Sequence, residues 1–317
     1  MDLRQIRYFI AIAESGSLSE AARRLHIVQP ALSQRLAALE ADLGVQLLVR
    51  GRSGIALTPS GTELYQRALL IAKHIDTARL AVKEKAGEVE GTLTIGVLRS
   101  MAPAVGKRLF LTLKEELPRV TPHLRTGYSA ELAKMLQEGR VDLAMQVLPA
   151  GSKPDTGVLY SEHLYAVGVP ALLGTGNRPI TLPELQGIPI LTAARQSSHE
   201  LLVQAARRQH IPLNVIGDVE DSFSLLEICD TGVAATFLSG AMAHEAARHR
   251  GLTVRPLDDP RVVRHVTLAV NPDVPRTAAL VAAGEIVGRV LMERMREAMG
   301  EVPAETSRTT QPAADAR

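Results

Sequence analysis

The stretch between Gly16 and Gly44 constrains this chain more than any other. Ser17 opens it with Glu20 three residues on, the spacing of a capping box, in which a hydroxyl and a carboxylate each satisfy an orphan amide at a helix start. Leu18, Ala21, Ala22 and Leu25 form the apolar stripe of a short helix, and His26-Ile27-Val28 makes a tight turn. Pro30 then sits in the first turn of another helix, where its missing N–H had no partner to lose. That helix runs to Leu43 and stops at Gly44. At 100° per residue, Leu32, Leu36, Leu39 and Leu43 fall within about 60° of one another and define its buried stripe. Its far side carries Pro30, Ser33, Gln34, Ala37, Ala38 and Ala41, with Arg35, Glu40 and Asp42 to the side. A face of small residues admits a partner closely, and its opening turn offers that partner hydrogen-bonding side chains.

The flanking segments extend the pattern. Leu3, Ile6, Ile10 and Ala13 recur at helical spacing before Gly16. After Gly44, two short apolar segments, 46–50 and 55–58, are joined by Gly51-Arg52-Ser53-Gly54, a hairpin with a basic tip. Three helices followed by such a hairpin are the winged form of the DNA-binding helix-turn-helix, mostly α, over residues 1–58. Thr58 is the expected N-cap of a long helix over 59–90 that ends in a hinge at Gly87–Gly91. Leu64, Ala68, Ile71, Ile75, Ala78 and Val82 follow heptad spacing along it, so two such helices can pair. From residue 91 strands alternate with helices to about 300, the signature of an α/β domain with a mostly parallel sheet. Residues 301–317, with Pro, Thr and Ala and no aromatic, read as a disordered tail.

Composition narrows the class without naming it. At 317 residues a multi-domain chain is expected. No apolar run approaches the roughly 20 residues of a membrane helix and no leader is evident, so a cytoplasmic protein without membrane contact is expected. One cysteine, Cys229, allows no intrachain disulfide or zinc cluster and reads as a packed small hydrophobe. No metal or cofactor is expected. The net charge of +2 is weak evidence for nucleic acid, and residues 1–60 hold seven arginines against five acids. Catalysis has no support, since no Gly-x-Ser-x-Gly elbow, His-Glu-x-x-His or phosphate loop is present. His244 and His249 read as surface residues.

On these grounds Gln29 and Gln34 are the candidates for base edges, with Gln34 suited to adenine, and Pro30 sets helix geometry. Ser17, Ser33, Arg50, Arg52 and Thr58 suit phosphates, which fix register without reading sequence. The residues alone leave open a small-molecule sensor whose helical head only mediates assembly.

Residues 1 to about 65 resemble the LysR-type transcriptional regulators. The likeness runs through Gly16-Ser17-Leu18, Ala21-Ala22, Leu25, Gln29-Pro30-Ala31-Leu32-Ser33, Leu39-Glu40, Leu43-Gly44, Leu47, Arg50, Leu57-Thr58 and Gly61. His26-Ile27 and Ala31-Leu32-Ser33-Gln34 are also similar to the nitrogen assimilation control branch. Gln34 departs from the arginine common in the family. The resemblance implies a linker-helix homodimer, usually assembled as a homotetramer, that activates or represses transcription with RNA polymerase as a partner. It further implies a two-lobed, periplasmic-binding-protein-like effector domain over 91–300, with lobe I at 91–163 and 268–300 and lobe II at 164–267. A small-molecule effector, suited to be an anion, is expected between the lobes. The matching positions are Ser100, Ser129, Ser197 and Ser198, each at or near a helix start.

Overall fold

The computed structural model describes residues 1–51, 54–84, 89–148, 157–193, 197–272, 274 and 276–299. The tail expected at 301–317 and residues 87 and 88 of the expected hinge lie outside these residues. The chain divides into two compact units, Met1–Leu159 with His265–Gly288, and Tyr160–Arg264 with the chain from Arg289.

The first unit opens with three helices, α1 (Leu3–Ser15), α2 (Leu18–Arg24) and α3 (Gln29–Leu43). Asp2 and Gln5 exchange side chain-to-amide hydrogen bonds of 2.8 Å at the start of α1. Gly16 ends it in the left-handed region at φ 61°. The expected helix is present; along it Leu3 is 51% exposed, while Ile6, Phe9, Ala11 and Ile12 are buried. The helix is covered on two sides. Ala11 and Ile12 join Leu18, Ala21, Ala22 and Leu32, whereas Ile6 and Phe9 join Leu39, Leu47 and Ala68. His26, at φ 54°, turns the chain between α2 and α3.

Strands β1 (Leu48–Gly51) and β2 (Gly54–Leu57) form the antiparallel wing, with Leu48 opposite Leu57. The Ile55 amide donates to the Gly16 carbonyl at 2.9 Å, so the wing is tied to the turn between α1 and α2. The long helix α4 (Pro59–Glu84) follows. Its first turn crosses so near the wing that a Cβ on Gly61 would lie 1.9 Å from the Leu47 carbonyl oxygen. Only glycine fits there. The heptad stripe on α4 is divided: Ala68 is buried and Leu64 and Ile71 pack against Ile6 and Phe9 of the same chain, leaving Val82 73% exposed at the far end.

The rest of this unit is a sheet in which β3 (Gly91–Leu98) lies parallel to β4 (Val120–Gly127) and to β5 (Leu143–Val147). Helix α5 (Ala102–Glu116) connects β3 to β4, and α6 (Ser129–Gln137) connects β4 to β5. These are βαβ units, as the alternation implied.

In the second unit, β6 (Val158–Gly168) precedes the single turn α7 (Pro170–Leu173), β7 (Pro189–Thr192), α8 (Ser197–Arg208), β8 (Asn214–Asp218) and α9 (Ser222–Asp230). Then come β9 (Thr236–Ser239), α10 (Gly240–Arg250) and β10 (Thr253–Pro256), three elements the sequence pattern did not separate. β6 pairs antiparallel with both β9 and β10, and β7 runs parallel to β8. Val167, Leu191, Leu225, Leu238 and Ala243 form its core. Within it the buried Arg264 bonds the buried Glu162, whose other oxygen accepts the Gly240 amide at 3.0 Å. Strand β11 (Val263–Val270) leads back to pair antiparallel with β5, and α11 (Ala278–Met299) ends the described chain.

Candidate nucleic-acid interface

Helix α3 is held from behind and bare in front. Leu32 and Leu39 are fully buried, Leu36 is half-buried, and Leu43 is 38% exposed, so the inner two leucines anchor the helix. Gln29, Pro30, Gln34, Ala37, Ala38 and Ala41 are all exposed, and Ser33 is half-buried at the edge of that face. Val28 gives no side-chain acceptor to the first amides of α3 and no acid lies in its first turn. The positive end of the helix dipole is therefore uncompensated by the protein, which favours an anion there.

The wing stands beside this face. An open cleft of about 430 Å³ separates the two, lined by Leu18, Ser33, Leu36, Ala37, Glu40, Gln46, Leu48, Val49 and Ile55. Glu40 fixes its floor: one carboxylate oxygen accepts the amides of Leu47 at 2.8 Å and Leu48 at 3.2 Å. Thus Glu40 does not simply point sideways into solvent.

The sequence-selected residues take different places. Gln29 accepts a 3.2 Å hydrogen bond from Ser19, which orients its amide at the mouth of α3. Ser17 caps α2 by accepting the Glu20 amide, but the reciprocal half of the expected box is not made. The Glu20 carboxylate turns instead to Arg23, with hydrogen bonds of 3.0 and 2.6 Å that hold its pKa below the usual glutamate value. The Thr58 hydroxyl donates to the Gln46 carbonyl at 2.8 Å and accepts the Gly61 amide at 2.9 Å. These bonds join the wing to α4 and make Thr58 the expected cap at the start of that helix. Arg52 and the side chain of Arg50 lie outside the described residues.

Of the expected effector positions, Ser100 and Ser129 follow the carboxyl ends of the adjacent parallel strands β3 and β4, the edge where open α/β sheets bind ligands. Ser100 is buried. The Ser129 hydroxyl accepts the Val147 amide at 2.9 Å, so it serves first to fasten α6 to β5. Sequence reasoning missed Arg99, exposed on this edge with its guanidinium 4.9 Å from the centre of the Tyr128 ring. The side chains of Ser197 and Ser198, at the start of α8, lie outside the described residues. His244 is corrected from the surface: it is half-buried, edge-on to Tyr165 at 5.1 Å, and burial lowers its pKa. Among the described residues no group of His, Cys, Asp or Glu could hold a metal ion, and no helix is long and apolar enough to cross a membrane.

The model of the LysR substrate binding domain matches residues 86–291, and that of the bacterial regulatory helix-turn-helix proteins of the lysR family matches residues 3–62. The chain belongs to the LysR family. It is a DNA-binding transcriptional regulator with an effector-binding domain, and not an enzyme. This LysR regulator is 32% identical over 248 residues to the nitrogen assimilation regulatory protein nac of Klebsiella aerogenes, spanning 77% of this chain and 80% of that one. Its fold is similar to an H2O2-bound mutant of Corynebacterium glutamicum OxyR, at 25% identity, a TM-score of 0.57 and 94% of each chain. It is also similar to full-length CbnR complexed with its target DNA, at 22% identity and a TM-score of 0.64, over 94% of this chain and all of that one.

Proposed function

We propose that this regulator works as a cytoplasmic homodimer, assembled further into a tetramer, that sets two α3 helices into successive major grooves of a near-palindromic site. The observation that carries this reading is the exposed small-residue face of α3, with Gln34 and Ser33 at its opening turn and the wing cleft alongside. Gln34 and Gln29 read base edges, and a glutamine amide can pair bidentately with adenine. Ser17, Arg50 and Arg52 contact phosphates and set register.

A small anionic effector suits the β3–β4 edge, where Arg99 is exposed beside Tyr128 and the buried Ser100. Effector binding shifts an equilibrium between arrangements of the protein, and the DNA-bound form acts through RNA polymerase.

Repeated selection of duplexes from a random pool by the full-length protein tests the reading. An enriched palindromic motif is expected, and Gln34→Ala should lose preference at one base pair per half-site while retaining binding. A pool that returns no motif with folded protein overturns it, and so does a Gln34→Ala variant whose motif is unchanged.

A further inference from the structure

We propose that Arg35 grips the DNA backbone on the side of α3 opposite the wing. The inference rests on the DNA-binding reading above and adds a contact to it. Five arginines of the N-terminal head have described side chains, and two of them are neutralised within the protein: Arg23 by both oxygens of Glu20, and Arg24 by Glu14 at 2.7 Å. Arg35 is exposed and makes no hydrogen bond or ion pair among the described residues.

Its position around α3 gives that free charge a direction. Ser33, Leu36, Ala37 and Glu40 line the wing cleft, and Leu32 and Leu39 are buried. At 100° per residue Arg35 lies about 210° round from the centre of the wing-facing set, past the outward Gln34, Ala38 and Ala41. A helix about 10–12 Å across fills a major groove about 12 Å wide, so both of its flanks come near a phosphate ridge. The wing takes one ridge. The flank toward the other carries Ala31, Ala38 and Asp42, whose carboxylate is taken by the N-terminal ammonium at 2.6 Å, so Arg35 is the side-chain cation α3 offers to that ridge. Asp2, whose charge reaches Arg35, already accepts the Gln5 amide.

The test is the salt dependence of binding to the duplex enriched in the selection above, measured by fluorescence anisotropy with full-length wild type, Arg35→Ala, Arg35→Lys and Arg23→Ala. One lost phosphate contact lowers the slope of log K against log salt by about 0.9 per bound head. Arg35→Ala should show that loss, with equal weakening on matched and single-mismatch duplexes and an unchanged melting temperature. Arg35→Lys should keep the wild-type slope, and so should Arg23→Ala. An Arg35→Ala slope equal to wild type overturns the contact, as does a loss confined to one base pair or an equal loss in Arg23→Ala. A wild type that retains no duplex at low salt overturns the DNA-binding reading itself, and this contact with it.

Discussion

Glu40, on α3, holds the wing through the backbone of Leu47: its carboxylate oxygen accepts the Leu47 amide at 2.8 Å and the next amide at 3.2 Å. Helix α3 and the wing are thus linked by hydrogen bonds as well as by packing. Glu40→Ala leaves two partly buried amides without an acceptor, at a cost of about 1–3 kcal/mol. Urea denaturation should show that loss, and Glu40→Gln, which keeps an acceptor, should show less than half of it. DNA affinity should fall in Glu40→Ala because the wing is no longer held at a fixed distance from α3. Equal stability of the Ala and Gln variants would contradict this.

A second link runs from α4 to the sheet of the same unit. Lys73 pairs with Asp142, whose other oxygen accepts the Thr94 amide at 2.8 Å. Asp142 is nearly fully buried and Lys73 about a quarter exposed, and beside them lies a cavity of about 20 Å³ lined by Thr77, Leu80 and Gly91. Lys73→Met strands a buried carboxylate. Breaking a fully buried pair costs about 3–5 kcal/mol, and the access of Lys73 to water reduces the expected loss to about 1–3 kcal/mol. Asp142→Asn keeps an acceptor for Thr94, so adding it to Lys73→Met should restore part of the stability. Additive losses in the double variant would show that the pair is not coupled.

The contrast between these two links and the head shows what a sequence can display. The turn before Gln29-Pro30, the stop at Gly44 and the basic hairpin are legible because each depends on residues within a few positions of one another. The spacing on α1 gives the helix but not its full buried surface, because that helix is covered on two sides and Phe9 and Ala11 count as well as Ile6. The heptad on α4 reads as a seam for a second copy, whereas its first half meets α1 of the same chain. Lys73 and Asp142 are 69 positions apart, and Glu40 binds amides that any residue could supply. No periodicity records either. Arg99 escapes notice beside Ser100 because a lone arginine after a strand carries no pattern until the Tyr128 ring is found beneath it.

Acid should weaken the second unit through Glu184. Its carboxyl accepts the Thr181 amide at 2.9 Å and an Arg178 hydrogen bond at 2.6 Å, and these, the amide first, pull its pKa from 4.5 down to about 2. The folded state therefore binds this proton less readily than the unfolded chain. The stabilisation is complete above the unfolded value of 4.5 and is lost as pH falls through about 2. Wild type should melt above Glu184→Gln at neutral pH, and the gap should close across that window. A gap independent of pH would assign the effect to shape rather than charge.

Cys229 separates this chain from chemistry that a structural likeness to an H2O2-bound OxyR could suggest. It is the one cysteine, so no disulfide can form within a chain. Its side chain is fully buried on α9, and burial pushes the thiol pKa up to about 11. The thiolate is the reactive species, and at pH 7 that value leaves on the order of one thiol in ten thousand ionised. A disulfide between chains would need the α9 core opened before the two sulfurs could approach. A thiol reagent should therefore label the folded protein far more slowly than the urea-unfolded one, which should give one equivalent per chain. Millimolar peroxide should leave DNA affinity unchanged in wild type and in Cys229→Ser alike. A peroxide response present in wild type and absent in the serine variant would show that burial does not protect this sulfur, and that α9 opens on the timescale of the reaction.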